Sequence, residues 1–167
     1  GYSSHISHSK IRKYAKNNET LLVVLDQTPF YAESGGQVGD VGIMKGSSGE
    51  LKVLDVKKDN ETHIHFCSGE LENMEERLEC MVDNQHRNSV KNNHTATHLM
   101  HKALKEVLGD HVNQAGSLVH PDYLRFDLTH FEKISQDEII SIEKMVNQQI
   151  LLNTKVDVTV QGFDEAK

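Results

Sequence analysis

The sequence predicts an α+β protein: a small N-terminal β-barrel followed by a core of helix, antiparallel strands and helix. Short strand-like segments separated by glycine-rich turns fill the first half of the chain. Helical periodicity appears only from about residue 84 onward. The 167 residues suffice for one domain or two small ones, and we predict a division into residues 1–84 and 85–167.

The strands of the first half are marked by β-branched residues and by alternation of apolar and polar side chains. The segment ETLLVVLDQT (19–28) is a short apolar run that ends in turn formers. Alternation recurs in LKVLDV (51–56), THIHF (62–66) and RLECMVD (77–83). Five or six short strands with glycine-rich turns are typical of a small barrel or sandwich.

A helix is predicted at the start of the second half, with Gly109 as its natural C-cap. Its apolar stripe has helical spacing and consists of Leu99, Met100, Ala103, Leu104, Val107 and Leu108. The segments NQAGSLVH (113–120) and YLRFDLTH (123–130) are predicted strands joined by a turn at Pro121–Asp122.

A second amphipathic helix is predicted to begin after Ser135, which forms a capping box with Glu138. Its expected apolar face consists of Ile139, Ile142, Met145, Val146 and Ile150. The segment KVDVTVQ (155–161) is the predicted final strand.

The net charge of −7 argues against broad non-specific affinity for nucleic acid, which needs a dominant basic surface. The basic clusters, among them Arg87 with Lys91, are expected on ordinary solvated faces. Cys67 and Cys80 are expected to be reduced, partly buried thiols.

The chain lacks the apolar segments of membrane and secreted proteins. No run approaches the roughly 20 residues that span a bilayer, and the polar N-terminus has no signal-peptide core. We therefore predict a cytoplasmic protein with no membrane partner. Because the chain opens with Gly1, we expect it to be a piece of a longer protein.

The segment NNHTATHLMH (92–101) places His94 and His98 one helical turn apart, a spacing that points two imidazoles at one ion. His101 lies a turn further along and is expected at the surface or behind a ligand. Thr95 replaces the glutamate of an HExxH metalloprotease, which excludes that class. A catalytic zinc normally has three protein ligands, so two histidines alone leave metal binding open.

Two long motifs, DQTPFYAESGGQVGDVG (26–42) and NHTATHLMHKALKEVLGDHVNQAGSLVHPDYLRFDLTHF (93–131), closely resemble the editing region of bacterial alanyl-tRNA synthetases. The resemblance runs through nearly the whole chain. It implies a β-barrel module followed by the α+β editing core shared with free-standing alanyl-tRNA editing proteins and threonyl-tRNA synthetases. The barrel-then-α+β pattern expected from the residues alone agrees with that fold.

The resemblance implies a zinc ion held by an HxxxH pair and a later CxxxH pair. The first pair corresponds to His94 and His98, whereas no CxxxH occurs in this sequence. We therefore expect two of the four zinc ligands here, a chain truncated before the second pair, and little activity of the chain alone.

The implied reaction is hydrolysis of the ester bond of Ser-tRNA(Ala) and Gly-tRNA(Ala), which spares Ala-tRNA. The expected partners are the 3′ end of tRNA(Ala) and the rest of the synthetase chain. Attack by a zinc-bound water and attack by a free water on a zinc-positioned ester both remain open. So do a free-standing trans-editing protein and a non-catalytic zinc- or tRNA-binding module.

The resemblance also assigns roles to individual residues, each with a plainer alternative. Thr97 would recognise the hydroxyl of serine or simply bond to its own helix backbone. Gln114 would orient water or the ester, or serve the strand. The predicted substrate-binding residues are Thr28, Gly35, Gly36, Gly116, Ser117 and Arg125.

Four of these substrate-binding assignments have specific structural alternatives. Tight strand packing would explain Gly116 nearly as well, and an arginine such as Arg125 is more often a salt-bridge residue than a tRNA contact. The ESGGQ loop (33–37) lacks the P-loop spacing and its lysine. That loop is either a barrel turn with positive φ at its glycines or a wall of the editing pocket.

Overall fold

The computed structural model describes residues 5–155, and it confirms the predicted fold class. Six antiparallel strands close into a barrel in the order β1-β2-β5-β4-β3-β6. They are β1 (Ile6–Asn17), β2 (Thr20–Leu25), β3 (Gly42–Lys45), β4 (Gly49–Asp59), β5 (Thr62–Leu71) and β6 (Arg77–Val82). Helix α1 (Asn84–Leu108), a hairpin of β7 (Asn113–Val119) and β8 (Leu124–Thr129), and helix α2 (Gln136–Leu152) follow.

Apolar side chains that alternate with polar ones along β4 point into the barrel. Leu51 and Val53 are fully buried, and a bulge between Val53 and Asp55 resets the pleat so that Val56 also points inward. The other fully buried apolar residues of the barrel are Val23, Met44, Cys67, Leu78 and Cys80. Both cysteines are free and wholly buried, rather than partly buried as expected.

Strand β1, absent from the sequence-based prediction, closes the barrel between β2 and β6. Its inward positions include Ser7 and Ser9, which pair with Cys80 and Leu78 of β6. Since serines occupy these positions, β1 shows no apolar alternation that would reveal it in the sequence.

The helices begin and end largely where the sequence predicts. Asp83 caps α1 by accepting from the backbone N–H groups of Gln85 and His86, and Gly109 with φ 110° ends it. The capping box of Ser135 and Glu138 at α2 is confirmed.

The apolar face predicted for α2 is only partly buried. Ile142 lies in a second core together with Met145 and Val146, which pack against α1 and the hairpin, whereas Ile139 and Ile150 are exposed. The predicted strand 155–161 lies, apart from its first residue, outside the described residues. Folding of residues 1–84 and 85–167 as separate domains stays a prediction.

Arg87 of α1, expected on a solvated face, is instead buried where the helix meets the loop between β2 and β3. Its guanidinium forms an ion pair with Asp40 and donates to the Pro29 carbonyl at 2.7 Å. The same Asp40 carboxylate accepts from the Tyr31 backbone N–H at 2.6 Å. The loop between β2 and β3 is therefore fastened to the first helical turns.

Candidate functional site

His94 and His98 lie on one face of α1 with their rings stacked, their centroids 5.1 Å apart. His94 is half-buried and His98 is exposed. Nδ1 of His94 lies 2.7 Å from Oε1 of Gln37, a buried residue of the loop between β2 and β3. An amide oxygen only accepts hydrogen bonds, so this contact favours a proton on Nδ1, which in a neutral ring leaves the lone pair on Nε2.

The surroundings of His94 favour the neutral imidazole. Burial lowers the pKa of His94, and the neighbouring His98 lowers it further. A neutral ring is the form that binds a metal ion, because a protonated nitrogen has no lone pair to offer.

Gln37 reaches His94 because its loop makes a tight turn. Ser34 and Gln37 exchange two backbone hydrogen bonds across Gly35 and Gly36, which have φ values of 58° and 83°. Loop residues also bond to Val119 of β7: the Val119 N–H donates to the Gly36 carbonyl at 2.8 Å. The loop is thus a turn of positive φ, as one alternative held, and it also contacts both α1 and the β7–β8 hairpin.

Gly36 meets β7 so closely that no other residue fits. A Cβ added there would lie 2.5 Å from the Ser117 carbonyl oxygen and 2.7 Å from the Ser117 hydroxyl. Ser117 in turn accepts at 3.0 Å from the side-chain amide of Gln114, which is exposed at the start of β7. Gly36, Gln114 and Ser117 therefore form one contiguous surface, and Gln37 links that surface to the histidines.

A side chain at either of the other two predicted glycines, Gly35 and Gly116, would meet less obstruction than one at Gly36. Gly35, at the tip of the turn, has open space where its Cβ would lie. Gly116 follows a bulge in β7, and a Cβ there would meet the flexible carboxylate of Asp127 at 2.8 Å. Gly116 pairs with Asp127 of β8 in the hairpin, so its packing is against a side chain of the neighbouring strand.

Thr97 is buried, not on the helix surface, and its hydroxyl donates to the Asn93 carbonyl at 2.8 Å. The single hydroxyl proton is therefore engaged by its own helix. Contact with a substrate hydroxyl would have to use the lone pairs of the oxygen. The recognition role of Thr97 stays a prediction.

Thr28 belongs to a hydrogen-bonded chain in the barrel interior. Nδ1 of the fully buried His65 donates to the Val23 carbonyl at 2.9 Å, so Nε2 accepts from the Thr28 hydroxyl at 2.8 Å. The same hydroxyl accepts from the Phe30 N–H at 3.1 Å. The Thr28 hydroxyl thus both donates and accepts a hydrogen bond that holds the loop.

Arg125 and His101 lie apart from the contacts made by Gln37. Arg125 is exposed on β8 and forms a 3.2 Å ion pair with Asp127, as its plainer alternative held. His101 packs its ring against Phe126 with 5.0 Å between centroids, and its buried Nε2 has no hydrogen-bond partner among the described residues. Because Nε2 of His101 is buried, His101 is poorly placed to be a third ligand of a metal held by His94 and His98.

The donor set suits half of a tetrahedral zinc shell. His94 has an anchored Nδ1 and an available Nε2, and His98 follows one turn later. Among residues 5–155, no group of three or more His, Cys, Asp or Glu side chains is arranged to hold a metal. Sequence reasoning missed Gln37, although its place after two glycines in the ESGGQ loop was visible.

Comparison with known proteins shows which family the chain resembles. Residues 3–88 match the family described as tRNA synthetases class II (A). The alanine–tRNA ligase of Acetivibrio thermocellus is 46% identical over 167 residues, covering 97% of this chain and 19% of that protein. The alanine–tRNA ligases of Thermoanaerobacter sp. (strain X514) and Geobacillus thermodenitrificans are 42% and 48% identical, covering 99% and 89% of this chain.

The chain spans about a fifth of the length of these relatives, because it covers 19%, 20% and 17% of them respectively. No helix within residues 5–155 is long and apolar enough to cross a membrane.

Proposed function

The chain belongs to the class II (A) tRNA synthetases and resembles alanine–tRNA ligases throughout, and we propose that it forms part of their editing site. The proposed reaction is hydrolysis of the ester in Ser-tRNA(Ala) and Gly-tRNA(Ala) in the cytoplasm. The observation that carries the proposal is the 2.7 Å contact between Gln37 and His94. Through it, the barrel loop, the histidine pair and the Gln114–Ser117 surface would make one site.

The need for a second, hydrolytic site follows from the energetics of discrimination. A pocket shaped for alanine cannot exclude glycine, which is smaller. One added hydroxyl, as in serine, is rejected only about a hundredfold by an apolar pocket. A separate site that hydrolyses the wrong ester supplies the missing selectivity.

In this proposal His94 and His98 hold zinc by two of four ligands, and the other two come from outside the described residues. Bound zinc would lower the pKa of a water molecule or polarise the ester carbonyl. Gln37 anchors the ring of His94. Gln114 is exposed beside Ser117, and its amide oxygen, which has no partner among residues 5–155, would orient water or the ester end.

The remaining residues would receive the 3′ end of tRNA(Ala). Ser117 and Gly36, which precedes Gln37 in the loop, offer a closely packed backbone surface. Arg125, exposed on the same hairpin, offers a charge for a phosphate. A net charge of −7 does not favour binding along a whole tRNA. It is compatible with a contact that involves only the acceptor end of the tRNA.

The test is deacylation of purified Ser-tRNA(Ala) by a full-length alanine–tRNA ligase that carries this segment. We expect His94→Ala to abolish hydrolysis, whereas His111→Ala, which removes an exposed histidine beyond the end of α1, leaves it unchanged. Unchanged hydrolysis in His94→Ala would defeat the proposal and favour a non-catalytic tRNA-binding module. Rapid zinc-dependent hydrolysis by the 167-residue chain itself would contradict the expected need for further ligands.

A further inference from the structure

We propose that Gln37 is a positioning residue that holds His94 as the Nδ1–H tautomer, so that Nε2 presents its lone pair to the metal. This inference rests on the proposed function, but it concerns a residue of the barrel rather than of the histidine helix. The barrel module would then contribute directly to the chemistry of the site.

The first support is the rigidity of the loop that carries Gln37. The side chain is only 5% exposed, so its amide has little freedom to turn toward water. The backbone on both sides is held: Gln37 exchanges two hydrogen bonds with Ser34, and the Val38 N–H donates to the Val119 carbonyl at 3.1 Å. The amide oxygen is therefore aimed at His94 before any ligand arrives.

The second support is the chemistry of the pair. Neutral imidazole carries one proton, and a histidine that binds metal through Nε2 must carry it on Nδ1. Metal-bound histidines commonly donate that N–H to an acceptor, which fixes both the tautomer and the orientation of the ring. At 2.7 Å, Oε1 of Gln37 is such an acceptor for His94.

The third support is the contrast with His98. That ring is exposed and stacks on His94 at a 16° interplanar angle. Anchoring one ring of a stacked pair also limits the movement of the other. One buried amide thereby orders both ligands that this chain supplies.

The test measures the tautomer directly, by nitrogen-15 NMR of the histidine side chains in the metal-free chain at a pH where they are neutral. We expect a proton-bearing Nδ1 and a bare Nε2 for His94. Gln37→Met, similar in size but without an acceptor, should move both nitrogens toward a mixed population. Gln37→Glu keeps an oxygen acceptor and should retain the tautomer. Gln85→Met, an exposed glutamine at the start of the same helix, is the matched control and should change nothing.

The second readout is zinc affinity, measured by competition with a chelating dye on a full-length alanine–tRNA ligase that carries this segment, unmodified or with each of the three substitutions. We expect Gln37→Met to weaken binding about tenfold or more, in the range found for groups behind metal ligands, and Gln37→Glu to restore it. A bare Nδ1 in the unmodified chain would overturn the proposal even if no variant folded. So would an altered tautomer in Gln37→Met with unchanged zinc affinity. The tautomer needs neither zinc nor tRNA, so failure of the hydrolysis test would leave that result distinguishable.

Discussion

Arg87 of α1 and Asp40 of the β2–β3 loop form an ion pair in which both side chains are 5% exposed. The pair lies where the loop that carries Gln37 meets the helix that carries His94. Neither charge contacts water to any extent, so each depends on the other for stabilisation. The placement of the site thus depends on a contact outside it.

Replacing Arg87 by methionine should lower the free energy of unfolding by about 3–5 kcal/mol, because it leaves the Asp40 charge buried and unpaired. Adding Asp40→Asn should recover part of that loss, since asparagine removes the charge and still accepts from the Tyr31 N–H. Urea unfolding measures both. Lys102→Met, which breaks an exposed pair with Glu106, is the control and should cost under about 1 kcal/mol. If Arg87→Met and Lys102→Met lowered the free energy of unfolding equally, the buried pair would have no special structural role.

Alanine substitutions at Gly35 and Gly36 should separate backbone strain from collision. Both have positive φ, which costs an alanine about 1–2 kcal/mol, but only Gly36→Ala also drives a methyl group into Ser117. We expect Gly36→Ala to be the more destabilising and to speed hydrogen exchange at the Val119 amide, which donates to Gly36. If the Val119 amide exchanges equally fast in Gly35→Ala and Gly36→Ala, the close approach of Gly36 to Ser117 is not what fixes the loop.

His65 should make stability depend on pH. Burial lowers the pKa of His65 to about 4, whereas the unfolded chain titrates near 6.5. Between these values the unfolded chain binds a proton that the folded chain does not, so the free energy of unfolding falls as pH drops from about 6.5 to 4. The expected loss is on the order of 3 kcal/mol. Urea unfolding at several pH values, with His65→Gln as the comparison, measures it; an identical pH dependence in both proteins would show that His65 is not responsible.

Local patterns in the sequence revealed the elements whose inward positions are apolar. Leu51 and Val53 alternate with polar residues, so β4 was visible, whereas the inward Ser7 and Ser9 concealed β1. The stripe on α2 predicted a helix correctly, but periodicity does not say which part of an apolar face is covered. Ile150 is exposed for that reason.

The contacts that build the site are not local. The spacing of His94 and His98, one helical turn apart, marked them as candidate ligands, and only the resemblance assigned them to zinc. Gln37 bonds to a residue 57 positions away, and Arg87 to one 47 positions away. No periodicity encodes such pairs, and a lone arginine in a helix is most often solvated.

Zinc binding to the 167-residue chain should be weak and substoichiometric, because two imidazoles fill only half of a tetrahedral shell. The double variant His94→Ala/His98→Ala should abolish it. A matched control exists in His111 and His130, whose rings also stack at 5.1 Å, with Nε2 of His111 and Nδ1 of His130 2.9 Å apart. Isothermal titration of both double variants separates the two pairs. Binding lost only in His111→Ala/His130→Ala would move the metal to that exposed surface, while tight one-to-one binding by the unmodified chain would mean that its own residues complete the shell.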